Sequence, residues 1–559
     1  MTASGSEVCR ENSLLRVYGC GTALLVLALL GGCRAEPEPG PLVARFVALG
    51  QEDEVIGEAS LHLALDRPEL LLERAAIQDE KSGSALAIRS TLETGERTRY
   101  RARRRFRRGI EEVEAEHSVG TMRWRKKRGL AIHRSESAVD DPLLLSWMVA
   151  IDDGPSGSMV LWHHLAGRLA ATEPKELALS AFNICRGRSF ELFVSWREKR
   201  AVTVGGEARR GSRLFVSTRA SGHTVWLDAD SGDLLSVDDV LSARMLREGF
   251  VLPEREVETA PSALVEEEIT VRREDVELAG TLTFPRDRDG PVPVVILVHG
   301  SGPMDRDQSP FMVFRHLAHD LGVAGLAVLR YDKRGVKESR FLGDDRDVTL
   351  GAFAADARAW LDVLEERPEI DFRRISMAGH SEGAYIAPLV ATLDSRVSRV
   401  VMLAGPVDPL LDILVEQAHL VGEAHGMTEE EVDEMLRSQD AMLRRVRSDV
   451  DPDPEDAEAI TWLRSHYRHD PEAVLREIDV PVLAVYAEGD IQVPPTQADR
   501  LREIGEKREA GLFRIEMLDG LDHVLMDDRR GRSGVGLLSD PDRRLDPRVP
   551  ALIAEFVEE

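Results

Sequence analysis

The second half of the chain is dominated by short, continuous apolar runs separated by helical patterns, and this constrains its folding more than any other feature. Val294-Val-Ile-Leu-Val298, Leu326–Tyr331, Ile375–Ala378, Val400–Ala404 and Val482–Tyr486 are five such runs. Between the second and third, Leu350 to Arg367 places Phe353, Ala357, Trp360, Leu361 and Leu364 on one helical face. Strands apolar on both sides, alternating with helices, predict a parallel sheet covered on both faces. The expected class is α/β over residues 264–559, preceded by a different, strand-rich body.

That body spans 43–252 and carries period-two alternation and turn pairs, as in His223-Thr-Val-Trp-Leu-Asp followed by Asp230-Ser-Gly-Asp. It is read as β or α+β, with 253–263 as a linker rich in acids. His163 and His164 are adjacent and would point to opposite faces of a strand, which suits a satisfied or exposed pair better than a metal site. Arg97, Arg99, Arg101, Arg103, Arg105 and Arg107 fall on one face of a predicted strand, and Glu112, Glu114 and Glu116 follow at the same period. Two readings stay open. One is a solvated hairpin laddered with opposite charges; the other is an arginine face, extended by Arg123 to Arg128, meeting anionic lipid headgroups.

The first 32 residues read as a secretory signal, with Arg10 and Arg16 ahead of the apolar run Ala23–Leu30. That run is too short to span a bilayer, which takes about 20 apolar residues. Leu30-Gly-Gly-Cys33 resembles the bacterial lipobox, so Cys33 is the expected lipidation site, and residues 33–42 the tether; Cys20 lacks a preceding apolar run. With Cys33 lipidated, Cys185 has no partner among mature thiols that would build a disulfide framework or a metal site. The expectation is a lipid anchor at a membrane surface, in the cell envelope, facing the periplasm or the cell exterior.

Across 559 residues, 72 Lys and Arg stand against 99 Asp and Glu, a formal charge of −27. Such acidity argues against a nucleic-acid partner, because affinity for phosphate comes from cationic side chains.

Chemistry concentrates in Gly379-His-Ser-Glu-Gly383, at a predicted strand-to-helix junction. Small residues at both ends allow the sharp turn that exposes a hydroxyl. Asp490 follows the last of the five runs and His523 follows a predicted strand at Phe513–Met517, giving the order Ser, Asp, His. Ser381 is thus the candidate nucleophile, His523 its base and Asp490 the residue orienting the base. Asp408 is the fallback acid, and Asp522 is too close in sequence to His523. After Val298 comes His299-Gly-Ser-Gly-Pro303; the backbone N–H of Ser301, with Gly302 as runner-up, and that of Glu382 are assigned to an oxyanion hole. His299 is read as structural.

His299-Gly-Ser-Gly-Pro-Met-Asp-Arg-Asp307, Arg330-Tyr-Asp-Lys-Arg-Gly335, Gly379–Gly383, Gly489-Asp-Ile-Gln-Val-Pro494 and Leu521-Asp-His523 together resemble bacterial α/β-hydrolases of the dienelactone-hydrolase and serine-aminopeptidase-like group. The resemblance covers Leu264 to Glu559. It implies an α/β-hydrolase fold and a serine hydrolase with no metal and no cofactor, most often acting on carboxylic esters. Glu382 departs from many relatives, and a charge there would disfavour anionic substrates. Residues 406–481 interrupt the core and read as a helical cap, whose Glu429, Glu430, Glu431, Asp433 and Glu434 form a solvated helix face.

The leading expectation is therefore a membrane-tethered esterase acting through an acyl-enzyme on Ser381, with a small ester or short peptide as substrate. A peptidase or aminopeptidase, a thioesterase or acyltransferase, and an envelope binding protein with a scaffold hydrolase half are the alternatives.

Overall fold

In the computed structural model the described residues run from 39 to 559, apart from short stretches of which 146–164 and 528–539 are the longest. The expected signal segment, Cys33, Cys185, the His163–His164 pair, Arg97, Arg107 and residues 254–258 lie outside them. Among the described residues no helix is long and apolar enough to cross a membrane.

Among the described residues the first body is one sheet of sixteen strands. Strands from Pro39–Leu49 to Ala131–Ala138 each pair with the next in sequence, and so do those from Leu143–Leu145 to Arg244–Arg247. The two runs join where Phe46 to Leu49 pair antiparallel with Arg247 to Arg244. Alternation then does what it must in a half-buried sheet. Phe46, Leu61, Tyr100, Val113 and Met122 from the first run share a core with Leu192, Leu214 and Val225 from the second, and Leu165, Ala166 and Leu169 insert into it.

The arginine strand is Thr98–Phe106. Tyr100 and Ala102 are buried, while Arg99, Arg101 and Arg103 stand opposite Glu116, Glu114 and Glu112. Arg99 and Arg101 donate to their glutamates at 2.8 and 2.7 Å, and Arg103 lies 4.0 Å from Glu112. The next strand sets Arg123, Arg125 and Lys127 against the same three glutamates. Each acid is thus flanked by two cations across the sheet. Such pairs contribute about 0.2–1 kcal/mol each.

The second sheet holds eight main strands, numbered here from its first: β1 (Leu264–Arg272), β2 (Val276–Pro285), β3 (Val292–Val298), β4 (Ala327–Tyr331), β5 (Ile370–His380), β6 (Val397–Leu403), β7 (Val482–Ala487) and β8 (Phe513–Leu518). Their spatial order is β1-β2-β4-β3-β5-β6-β7-β8. The first two pairings are antiparallel, and all from β4 onward are parallel.

Among the described residues the second body's helices are α1 (Val313–Val323), α2 (Leu350–Glu365), α3 (Gly383–Leu393), α4 (Leu410–Ala424), α5 (Glu429–Arg447), α6 (Ala457–Tyr467), α7 (Pro471–Glu477), α8 (Thr496–Gly505) and α9 (Arg548–Glu558). Their placement explains the continuous apolar runs. Val294, Ile296 and Val298 of β3 pack under α2, α3 and α8, while Val295 and Leu297 pack under α1 and α9. Neither face of the strand reaches water, so neither carries polar residues. Thr349 caps α2 by accepting from the Ala352 N–H, and the predicted face from Phe353 to Leu364 is buried.

Among the described residues four helices, α4 to α7, intervene between β6 and β7. Thr428 and Glu431 form a capping box at the start of α5, and Glu429, Glu430, Asp433 and Glu434 are exposed.

The two bodies meet through ions. Arg197 pairs with Asp540, and Arg213 reaches Asp542 at 3.0 Å.

Candidate functional site

β5 ends at His380 and α3 begins at Gly383, leaving two residues to reverse the backbone. Ser381 takes the strained left-handed conformation, φ 55°. The turn is held by Ser381 N–H to the Leu403 carbonyl and Ala384 N–H to the Ser381 carbonyl, both 2.9 Å. Its flanking glycines are steric requirements. A Cβ on Gly379 would lie 2.0 Å from the Gly383 oxygen, and one on Gly383 would lie 2.2 Å from the Val298 oxygen. The strand-to-helix elbow anticipated from the sequence is therefore a backbone that admits no side chain at either flanking position.

His523 lies in the turn after β8, closed by the Leu521–Asp527 bridge. Its Nδ1 is 2.8 Å from Asp490 Oδ2. Asp490 Oδ1 accepts from the N–H groups of Gln492 and Val493 at 2.8 and 2.9 Å, so the carboxylate cannot swing away from the ring. Burial, the largest influence, acts to lower the His523 pKa; the charge and hydrogen bond of Asp490, aided by Asp522, outweigh it and hold the pKa above its ordinary value. Asp408 is engaged elsewhere, with Arg500 and Gln497. Asp522 accepts from Val524 and Met526 N–H and pairs with Arg543 at 2.6 Å. Of the three acids weighed from the sequence, Asp490 is the one at the histidine.

Ser381 and His523 line one cavity of about 340 Å³, whose wall includes Met304, Phe311, Leu410, Ile413, Leu414 and Val524. Gly300, at the start of the loop after β3, approaches the elbow so closely that a Cβ there would lie 3.2 Å from the Ser381 Cβ. Neither Ser301 nor Glu382 gives its N–H to another backbone group among the described residues. Both line the cavity. The neighbouring His299 is buried between Tyr331 and Phe314. Burial first, and then the Lys333 charge, lower its pKa to about 3, which fits the structural role expected for it.

Five residues with no role assigned from the sequence complete the site. Gln308 Nε2 is 2.7 Å from His380 Nδ1, and His380 Nε2 is 2.9 Å from the carbonyl of His523. Burial, followed by the neighbouring His523, lowers the His380 pKa to about 3, so the ring is neutral and donates from Nε2. The remaining three, Lys333, Trp462 and His466, act on Glu382.

Glu382 does not present a bare charge to the pocket, contrary to the expectation that it would repel anions. Its carboxylate is 2.8 Å from Lys333 Nζ, accepts from the Trp462 indole, and lies 2.9 Å from His466 Nε2. Burial alone would raise its pKa; Lys333 and His466 reverse this and bring it down to about 2.

Two of the quoted motifs also interlock. Arg306 binds Asp332 at 2.7 Å, and Arg330 binds Asp307. Each motif thus supplies one arginine and one aspartate to the other, which fixes the loop after β3 on the end of β4 and the loop that follows it.

Residues 295–532 match the model of the alpha/beta hydrolase family. Esterase EstD of Thermotoga maritima is 30% identical over 276 residues, 48% of this chain and 61% of that protein. The chain thus spans less than two thirds of this relative's length. Among solved structures, Est1E of Butyrivibrio proteoclasticus with bound ferulic acid is 17% identical, covering 52% of this chain and 98% of its own, with a TM-score of 0.35. A dienelactone hydrolase from Anabaena variabilis is 18% identical, covering 53% and 98%, with a TM-score of 0.32. The strand order, the elbow between β5 and α3 and the family match over residues 295–532 give the C-terminal half of this chain the α/β-hydrolase fold.

Proposed function

We propose that the chain is a serine hydrolase that cleaves carboxylic esters through an acyl-enzyme on Ser381. The observation carrying this reading is the positive-φ serine at the elbow, sharing a cavity with a histidine bound to Asp490 at 2.8 Å. His523 Nε2 takes the hydroxyl proton as Ser381 Oγ attacks the ester carbonyl carbon. The oxygen of the tetrahedral intermediate faces the N–H groups of Ser301 and Glu382. As the carbon–oxygen bond breaks, the leaving alcohol takes its proton from His523, and water then releases the acid by the same route.

The cavity favours ester over peptide. Among its lining residues Glu382 is the one carboxylate, and Lys333 already neutralises it. Among the described residues, no unpaired anion lines the cavity to hold the α-ammonium group of an aminopeptidase substrate. The apolar wall suits an uncharged acyl chain, in keeping with the similarity to Esterase EstD.

A fluorophosphonate probe is expected to label the wild type and spare Ser381→Ala; equal labelling of both would remove the nucleophile. Short p-nitrophenyl esters should be turned over in preference to aminoacyl amides, and cleavage of amides alone would overturn the ester assignment.

The same reading places the enzyme at the envelope membrane through a lipidated Cys33, supported by the Leu30-Gly-Gly-Cys33 pattern. Metabolic labelling with an alkyne fatty acid should mark the wild type and not Cys33→Ala. Labelling of both would refute the anchor without touching the esterase.

A further inference from the structure

A lysine stands between the two loops that meet at the nucleophile elbow. Lys333, in the loop after β4, is 7% exposed. Its Nζ donates to the Gly300 carbonyl at 3.0 Å and to Glu382 at 2.8 Å. The ammonium also sits over the Phe353 ring, 4.2 Å from its centroid. Neutralising a buried carboxylate would account for the contact with Glu382. It does not account for the bond to Gly300, whose carbonyl carries no charge to balance.

The Gly300 carbonyl belongs to the same peptide unit as the Ser301 N–H. In a trans peptide these two groups point in opposite directions. A donor fixed on the carbonyl side therefore sets the N–H to face away from Lys333. It also polarises the peptide and makes that N–H a stronger donor. The other contact of Lys333 is the side chain of Glu382, the residue whose own N–H is the second oxyanion donor.

We propose that Lys333 is the positioning residue of the oxyanion hole, tying the peptide Gly300–Ser301 to the residue after the nucleophile so that both N–H groups converge on one point. This rests on the serine-hydrolase reading above and adds a residue to it. Lys333 touches no substrate atom. Its effect should fall on the tetrahedral state, where charge reaches the oxygen, and not on the ground-state complex.

The test separates positioning from charge balance. Lys333→Met with Glu382→Gln removes the bond to Gly300 while leaving no uncompensated charge, and Glu382→Gln alone is its reference. Loss of a whole oxyanion donor typically costs about 100- to 1,000-fold in kcat, so misaligning one should cost about 10- to 100-fold. The double variant is expected to lose that factor in kcat against a short p-nitrophenyl ester, with KM unchanged. Its affinity for an alkylboronic acid, which forms a tetrahedral adduct, should fall by the same factor.

Wild-type-like kcat and boronate affinity in the double variant would overturn the proposal, as would a loss confined to KM. If the double variant does not fold, Lys333→Arg decides by the same two constants. Its rigid fork keeps the charge but cannot reproduce both bonds, so unchanged boronate affinity would again refute the role. Fluorophosphonate labelling is run alongside. An unlabelled wild type sinks the serine-hydrolase reading and this role with it, whereas a labelled wild type with an unaffected double variant sinks the role of Lys333 alone.

Discussion

Gly383→Ala is the most direct test of how the elbow is built. The added methyl would lie 2.2 Å from the Val298 oxygen and 2.8 Å from that of His299, both backbone atoms at the end of β3. Neither can rotate away, so α3 must retreat from β3 by about 0.8 Å before the closest contact becomes tolerable; displacements near 1 Å can cost about 100-fold in rate. The N-terminus of α3 carries the Glu382 N–H and follows Ser381 directly, so the shift moves the proposed nucleophile and the proposed oxyanion donor together. Overpacking of this kind also costs about 1–3 kcal/mol of stability. The expected result is a kcat/KM for p-nitrophenyl acetate reduced about 100-fold, with Tm lowered by several degrees. Gly351→Ala is the matched control. It lies in α2, exposed, with its nearest neighbour Thr349 Oγ1 at 3.9 Å. There alanine should be neutral or stabilising, by up to about 1 kcal/mol. A Gly383→Ala enzyme with wild-type kcat/KM and Tm would refute the argument that this backbone contact sets the site.

The base needs a neutral His523, so kcat/KM should rise with pH through a pKa held above the ordinary imidazole value of about 6.5. Asp490→Asn removes the charge that opposes burial; the acid limb should move down in pH while activity falls by as much as about 10,000-fold, and an unmoved limb would contradict the pairing. Ile413→Trp projects bulk into the cavity wall formed by α4 and should lower kcat/KM about tenfold for long acyl esters relative to acetate, measured across a chain-length series. Arg197→Ala with Arg213→Ala frees Asp540 and Asp542, next to the Arg543 that holds Asp522 beside His523; kcat should drop by about tenfold or less, with fluorophosphonate labelling retained.

How much of this was legible in the sequence depends on the range over which each signal acts. The elbow is written in five consecutive residues, because the steric demand is local to Gly379, Ser381 and Gly383. Strand ends placed Asp490 and His523, since the residues that follow β7 and β8 must emerge at the same edge of a parallel sheet. Lys333 was visible only as part of a motif, and Trp462 not at all. They meet Glu382 across 49 and 80 residues, and no periodicity records such a contact. In the first body, period two gives strands and the Arg–Glu alternation of one hairpin. It does not reveal that Pro39–Leu49 closes on Arg244–Arg247 to make a single sheet, because that pairing is nearly 200 residues long in sequence.

Glu382 illustrates why composition alone misleads about a site. An acid beside a nucleophile reads as a filter against anions, since an unpaired carboxylate in a low-dielectric pocket would repel them. Here the carboxylate is divided between the core and the intervening helices. Lys333 of the loop after β4 holds one oxygen, while Trp462 and His466 of α6 hold the other. Because the two sides compete for nothing, each having its own oxygen, docking of α6 and the hold of Lys333 on the Gly300–Ser301 peptide can be satisfied together. The same carboxylate also makes them interdependent. Pulling α6 away would strip two of its three partners and leave its charge to Lys333 alone, at the point where the Gly300–Ser301 peptide is held. On the serine-hydrolase reading proposed above, α6 is therefore part of how the proposed oxyanion hole is shaped, through its hold on Glu382.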